Sequence, residues 1–237
     1  MLIATGEQPF FRLLDQDVPL VITRSARARR MRLKIRYPKR VEIVLPKGVS
    51  LRRALEFADS EKDWIAGQLH RLPDPVGFTP GNKIPYQGKD HLIMETGRLR
   101  GQVEVRDDCL YVPGATEHTP RRLRDWLKRQ AKTEILACIN QRAPLMDVLP
   151  GRVTLRDQKT RWGSCSSKGN LNFSWRLILT PPAVLDYVVV HELAHLEHMH
   201  HGPEFWAKVA AHLPDFHQHK NWLKENGGKL QKYDATI

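Results

Sequence analysis

Cysteines are few in this sequence, and long apolar runs are lacking. The 237 residues include three cysteines, Cys109, Cys138 and Cys165, which are far apart and form no CxxC pair. This usage fits a reducing compartment better than a disulfide framework, so we expect a cytoplasmic protein and a packing or loop role for Cys165. No stretch of about 18 apolar residues suggests a membrane helix, and no basic segment followed by an apolar one suggests a signal peptide.

The composition is that of an ordinary globular protein with an excess of basic residues. Hydrophobic residues make up 41% of the chain and charged residues 27%, and the formal net charge is +12. The length allows one large domain or two small ones, with a substantial core. A positive charge of this size raises the possibility of nucleic-acid binding, although net charge informs about association and not about fold.

Basic residues concentrate in two segments. Nine of them, and no acidic residue, fall between Arg24 and Arg40. Within this run apolar and basic side chains alternate, which predicts a strand with one buried and one basic face. We expect that strand to bind nucleic acid weakly at most; its basic residues are Arg30, Arg32, Lys34 and Arg36. A second basic set predicts an exposed helical face: Arg121, Arg122, Arg124, Lys128, Arg129 and Lys132.

The pattern of short alternating runs followed by helical segments predicts an α+β fold. Residues 1–118 are predicted to form a β-rich part with one helix over 50–70, and residues 119–237 a metal-binding catalytic part. The second part is predicted to contain helices over 120–142, 181–198, 203–212 and 215–225. Its strands are predicted over 153–156 and 171–177. Thr180 is the expected N-cap of the third helix in the chain, which begins at Pro181.

His191-Glu192-Leu193-Ala194-His195 is the most informative motif of the chain. On an α-helix, residues four apart lie on the same face, so both imidazoles can bind one metal ion. Glu192 is then placed to reach a water on that ion. This H-E-x-x-H arrangement is typical of zinc hydrolases.

A catalytic zinc usually has three protein ligands, so the sequence must supply a third. His201 follows His195 by six residues, the spacing of the longer motif H-E-x-x-H-x-x-G-x-x-H, but His198 stands where that motif has glycine. Gly202-Pro203 directly after His201 predicts a turn that can bring this side chain back to the helix. We rank His201 first and Glu225 second, as in sites with a downstream glutamate. His198 and His200 are expected to be solvated.

Several further motifs give the chain a resemblance to a known family: Arg161-Trp162-Gly163-Ser164-Cys165, Asn170-Leu171-Asn172-Phe173, His191–Leu196, His201 and Phe205-Trp206. Together they resemble the YgjP-like (DUF45) metal-dependent hydrolases, which are related to SprT-like zinc metallopeptidases. The resemblance implies a zincin-like domain, Zn²⁺ bound by His191, His195 and His201, and Glu192 as the catalytic base. Where the family often has Asn-His-Ser, this chain has His200-His201-Gly202. Members are called metallopeptidases, and some carry a UTP pyrophosphatase label.

Three functions of different classes remain open. A zinc metallopeptidase would act on peptides or unfolded proteins, with the predicted strand 171–177 pairing with the substrate backbone. A metal-dependent nucleotide pyrophosphatase is disfavoured by the absence of a GxxxxGK[ST] phosphate loop. A nucleic-acid-associated module with a structural metal site is disfavoured by Glu192, since a structural site needs no base and usually has four protein ligands.

Overall fold

The computed structural model describes residues 10–13, 16–37, 39–158 and 161–234. The chain divides into two compact units, Met1–Pro75 and Val76–Ile237. The predicted boundary between residues 118 and 119 lies inside the second unit, where the strands of residues 83–112 share a hydrophobic cluster with the helix that follows them. As a boundary between a β-rich part and a catalytic part, it stays a prediction. Helices and strands are mixed, as the sequence predicts.

The first unit is a small sheet with two helices. Its described elements are β1 (Phe10–Leu13), β2 (Gln16–Arg24), β3 (Arg32–Arg36), β4 (Arg40–Leu45), α1 (Leu51–Ser60) and α2 (Lys62–Arg71). The strand order is β1-β2-β4-β3, and only the β2–β4 pair is parallel. The Ser50 hydroxyl caps α1 by accepting from the Arg53 N–H at 3.3 Å. The single helix predicted over 50–70 is interrupted at Glu61, whose backbone leaves the helical region with φ −106° and ψ 16°.

The predicted basic strand is β3, at one edge of this sheet. Leu33 and Ile35 pack against the hydrophobic cluster of the unit, while Arg32 is exposed. Arg36 is ion-paired with Glu42 of β4 at 2.7 Å. The half-buried strand with a solvated basic face is therefore confirmed, and weak nucleic-acid binding through that face stays a prediction.

The second unit contains three sheets and four α-helices among its described residues. Its elements are β5 (Val76–Gly77), β6 (Lys83–Tyr86), β7 (Lys89–Glu95), β8 (Glu104–Arg106), β9 (Cys109–Val112), α3 (Thr119–Leu145), β10 (Val153–Arg156), β11 (Gly163–Cys165), β12 (Leu171–Ser174), α4 (Pro182–Ala194), α5 (Pro203–His212), α6 (Phe216–Asn226) and β13 (Tyr233–Asp234). The sheet orders are β6-β7-β9-β8, β10-β12-β11 and β13-β5. Short 3₁₀ helices span residues 116–118, 175–179 and 227–232.

Helix α4 lies at the centre of this unit, because its apolar residues cover its whole circumference. Val184, Leu185, Val188, Val189 and Leu193 are all buried, and a helix that is apolar on every side needs neighbours on every side. Helix α3 packs along it, and an ion pair between Arg142 of α3 and Asp186 of α4 joins the two. None of the described helices is long and apolar enough to cross a membrane.

Two predicted boundaries of α4 are wrong. Pro181 occupies the N-cap position and its carbonyl accepts from the Val184 N–H at 2.9 Å, whereas the Thr180 hydroxyl donates to the Leu177 carbonyl at 2.7 Å. The helix begins at Pro182, whose missing N–H needs no cap. At the other end the helix stops at Ala194 and not near His198. A third boundary differs as well. The strand predicted over 171–177 ends at Ser174, and the residues that follow, Trp175–Leu179, form a 3₁₀ helix.

Candidate metal centre

The end of α4 and the start of α5 bring three histidines together. His191 lies in the last turn of α4 and His195 directly follows its last residue, with φ −67° and ψ −14°. The chain then makes tight turns, in which Leu196 and His198 donate to the carbonyls of Leu193 and Ala194 at 3.0 Å each. It turns back before α5 begins at Pro203, so that the Nε2 of His201 lies 3.0 Å from that of His191 in α4.

The three imidazoles have the geometry of a ligand set. One ligand nitrogen from each of His191, His195 and His201 lies within 4.8 Å of the others, and the Nε2 atoms of His191 and His201 are 3.0 Å apart. Two nitrogens bound tetrahedrally to one zinc, at about 2.0–2.1 Å each, would be separated by about 3.4 Å. The observed spacing fits one ion after small side-chain movements.

Neighbouring groups orient the rings. The His195 Nδ1 lies 3.0 Å from the His198 carbonyl, which leaves the Nε2 of His195 free for a metal, a common arrangement around metal-binding histidines. Phe205 of α5 contacts all three rings, at centroid distances of 4.8, 4.6 and 4.8 Å. Trp206 stacks on His201 at 5.7 Å. Aromatic packing therefore restricts the rings before any ion is bound.

Burial favours the neutral form of His191 and His195, which is the form that binds metals. The pKa of His191 is lowered to about 3, first by burial and then by the neighbouring His195, His201 and Lys220. Burial also lowers the pKa of His195. The Nδ1 of His191 is buried and has no hydrogen-bond partner among the described residues. This donor set matches the chemistry of zinc, which binds neutral imidazole nitrogens readily.

Glu192 is buried beside β11 and not among the histidines. It is 5% exposed, and its Oε2 has no hydrogen-bond partner among the described residues. Burial raises its pKa to about 8, opposed by the positive charge of Arg161. A divalent cation on the adjacent imidazoles would favour the carboxylate form of Glu192. The carboxyl group thus lies next to the histidine cluster without belonging to it.

Gly163 makes this position possible. A Cβ atom built at Gly163 would lie 2.5 Å from Oε1, 2.6 Å from Cγ and 2.7 Å from Cδ of Glu192. These separations are far shorter than van der Waals contact, so only glycine allows the carboxylate to lie against the strand. The sequence motif around Gly163 contributed to the family resemblance, but nothing in it identified this contact.

The strand that borders the site is β11, and the predicted role of residues 171–177 is wrong. Strand β12 is central in the order β10-β12-β11, so both of its edges are already paired. The Ser174 N–H donates to the Trp162 carbonyl at 2.8 Å, and the Ser166 N–H donates to the carbonyl of Asn170, just before β12, at 2.9 Å. Because antiparallel pairing alternates, the backbone groups of Gly163 and Cys165 face the open edge.

The other candidates lie outside the cluster. His198 is between Glu197 and Glu204, at 3.8 and 3.7 Å, and Glu225 is exposed on α6. Arg176, considered for oxyanion contacts, is almost fully buried and ion-paired with Asp157. Arg161, considered for the same role, is exposed near Glu192, and Lys159 lies outside the described residues.

The cysteines of the described chain form no disulfide. Cys165 packs against the core cluster that contains α4, and its thiol donates to the Ser166 carbonyl at 3.4 Å. Burial and the nearby Glu192 raise the pKa of this thiol. The packing role predicted for Cys165 agrees with these contacts, and a thiolate at this position is disfavoured.

Comparison with known proteins gives one family and one solved structure. Among solved structures, the metallopeptidase zymogen abylysin of Pyrococcus abyssi is similar to this chain at 22% identity, with a TM-score of 0.37, over 42% of this chain and 98% of that one. No curated protein matches the chain significantly. A family model described as YgjP-like, metallopeptidase domain, matches residues 29–226. The chain belongs to this YgjP-like family of metallopeptidase domains.

Proposed function

We propose that the protein is a zinc-dependent metallopeptidase with a zincin-like catalytic part. The observation that carries this proposal is the convergence of three imidazoles, a buried carboxyl group and an open strand edge at the end of α4. His191, His195 and His201 would hold the ion. When bound there, zinc supplies a Lewis acid that polarises the scissile carbonyl and acidifies a water molecule.

Glu192 performs the proton transfers in this proposal. Its carboxylate accepts the proton of the attacking water and delivers it to the amine that leaves when the peptide bond breaks. The buried Oε2 atom has no hydrogen-bond partner among the described residues, and a water molecule admitted next to it would supply one, which supports this role. The close approach of Gly163 fixes the carboxylate on the β11 side of the histidines.

The open edge of β11 supports an extended peptide as substrate. The outward N–H and C=O groups of Gly163 and Cys165 can pair with a peptide backbone, which adds a strand to the sheet β10-β12-β11. Such pairing requires an extended segment, so flexible or unfolded proteins are the expected substrates. A backbone-directed contact of this kind gives little dependence on the substrate side chains.

The deciding experiment compares peptide and nucleotide hydrolysis by one preparation. Zinc-loaded protein and its Glu192→Gln variant are incubated in parallel with an unfolded protein and with nucleoside triphosphates, and kcat/KM is measured for each. We expect peptide cleavage that requires zinc and falls by a factor of about 10² or more in Glu192→Gln. The variant should retain zinc, since glutamine replaces no ligand.

Other outcomes would remove the proposal. Release of diphosphate that depends on Glu192, without peptide cleavage, would make the protein a nucleotide pyrophosphatase. Equal peptidase activity in the variant and the parent would exclude Glu192 as the base. Retention of zinc without hydrolysis of either substrate class would favour a structural metal site.

A further inference from the structure

A cavity of the second unit lies where α3 and β10 meet the ring of Trp175. We call it the α3–β10 pocket. Its volume is about 310 Å³. Its polar lining consists of Lys128, Arg129, Lys132, Arg156, Asp157 and Trp175. No residue of the metal centre lines it, so its chemistry is independent of the proposed peptidase site.

The positive charge of this pocket is not neutralised by protein carboxylates. Lys128, Arg129, Lys132 and Arg156 form no ion pair within the described residues. The acidic residue of the pocket, Asp157, is already paired with the buried Arg176. Four exposed cations from a helix and a neighbouring strand therefore line one cavity, and a bound anion would reduce their mutual repulsion.

Two arginines in the turns of α3 before the pocket lie near a carboxylate. Arg121 and Arg124 both lie near Asp125, at 3.9 and 3.4 Å. Their charges are partly satisfied within the helix, although they belong to the same basic set in the sequence. Arg122 of the same set donates to the Gly101 carbonyl at 3.3 Å and does not line the pocket, so three of the six cations of this set, Lys128, Arg129 and Lys132, lie at the pocket.

Trp175, which also lines the pocket, carries a buried neutral donor. Its side chain is 2% exposed, and its indole Nε1 has no hydrogen-bond partner in the described part of the chain. Buried indole N–H groups usually have a partner. An oxygen of a ligand in the pocket would supply one.

We propose that the α3–β10 pocket binds a small phosphate-bearing ligand. Lysine and arginine donate charge-assisted hydrogen bonds to phosphate oxygens, and arginine can do so through two nitrogens. The volume is at the lower end of the range of small-molecule pockets, about 300–1,000 Å³. A nucleic-acid strand would instead need a row of unpaired cations, and the ion pairs of Arg121 and Arg124 interrupt such a row.

Inorganic pyrophosphate is the probe for this proposal, titrated into the full-length, zinc-loaded protein by calorimetry. The test variant is Lys128→Gln/Lys132→Gln, and the matched control is Arg121→Gln/Arg124→Gln, which removes the same charge from the same helix. We expect the test variant to bind about tenfold or more weakly than the parent, and the control to bind like the parent. Arg156→Gln, on another element, should weaken binding as well.

A second readout follows the indole directly. In ¹⁵N-labelled protein, the indole N–H resonance that is absent in Trp175→Phe should shift when pyrophosphate is added. Attraction by net charge alone would not move this resonance. Calorimetry of the zinc-free protein separates the pocket from the metal centre, because binding to the pocket survives zinc removal.

Three results would overturn the proposal. The first is equal weakening in the two double variants, which would mean general attraction to a basic protein. The second is binding that disappears with zinc, which would place pyrophosphate on the metal. The third is tight binding of a single-stranded oligonucleotide, weakened in both double variants, with no binding of pyrophosphate; the basic face of α3 would then be a nucleic-acid surface.

Discussion

Gly163→Ala is the sharpest test of how the fold positions Glu192. The substitution adds one methyl group to β11 and leaves all three histidines and the carboxyl group in the chain. The new Cβ would lie 2.5 Å from Glu192 Oε1, about 0.9 Å closer than the 3.4 Å at which ordinary contact begins. Gly163 has no positive φ, so alanine is compatible with the backbone and the effect is steric.

The carboxyl group has little room to yield, because Glu192 is 5% exposed. We therefore expect it to move by about 1 Å, a misplacement that can cost roughly 10²-fold in rate. Zinc binding should not change, since Gly163 supplies no ligand. The prediction is a fall in kcat of roughly 10²-fold with an unchanged zinc content, measured by steady-state peptidase kinetics and metal analysis.

Gly228→Ala is the matched control. A Cβ at Gly228 meets nothing within 4 Å, so this variant should retain the activity and the stability of the parent. Gly163→Ala with parental kcat and a folded, zinc-loaded chain would refute the reasoning, because it would show that the position of the Glu192 carboxylate does not limit the reaction.

Two further predictions concern the metal and the helix pair. His195→Ala should lose the single zinc, and with it the rise in melting temperature that excess zinc gives the parent. That stabilisation is about 2.7 kcal/mol at a zinc concentration of 100 times Kd. The control variant His200→Ala, at an exposed position, should keep both, and equal zinc content in the two variants would exclude His195 as a ligand. Arg142→Met should lower the free energy of unfolding by about 2 kcal/mol, because it leaves the half-buried Asp186 without its main partner. Urea denaturation of this variant and of the double variant Arg142→Met/Asp186→Leu would check the prediction. The double variant should recover part of the loss, and an unchanged midpoint in the single variant would show that the pair contributes nothing.

The clustering of the histidines was easier to predict from the sequence than the open strand edge. Spacing of four residues on a helix is a local property, so His191 and His195 could be placed on one face without tertiary information. The pairing of β12 is not local. The residue pattern of 171–174 indicates a buried strand. Only the sheet order shows that β10 and β11 pair with the two edges of this strand, β12.

The contact between Gly163 and Glu192 was beyond sequence reasoning for the same reason. The two residues are far apart in the chain, and the role of the glycine is the absence of a side chain. Glycine in a short strand indicates only that another group approaches closely. The structure identifies that group as the carboxylate. The α3–β10 pocket is a similar case, since the ion pairs of Asp125 separate two halves of a basic run that look equivalent in the sequence.

The early end of α4 explains how His201 joins the site. If the helix continued through residue 201, the His201 side chain would be six residues beyond His195. It would be rotated by about 600°, which places it about 240° away from the shared face, and moved about 9 Å along the helix axis. His201 could not then have approached His191. Because the helix stops at Ala194 and the chain reverses before Gly202, the Nε2 atoms of these two histidines lie 3.0 Å apart. The end of the helix before residue 201, which the Gly202-Pro203 turn signal predicted, is therefore the feature that makes the predicted third ligand geometrically possible; the structure ends the helix four residues earlier than predicted.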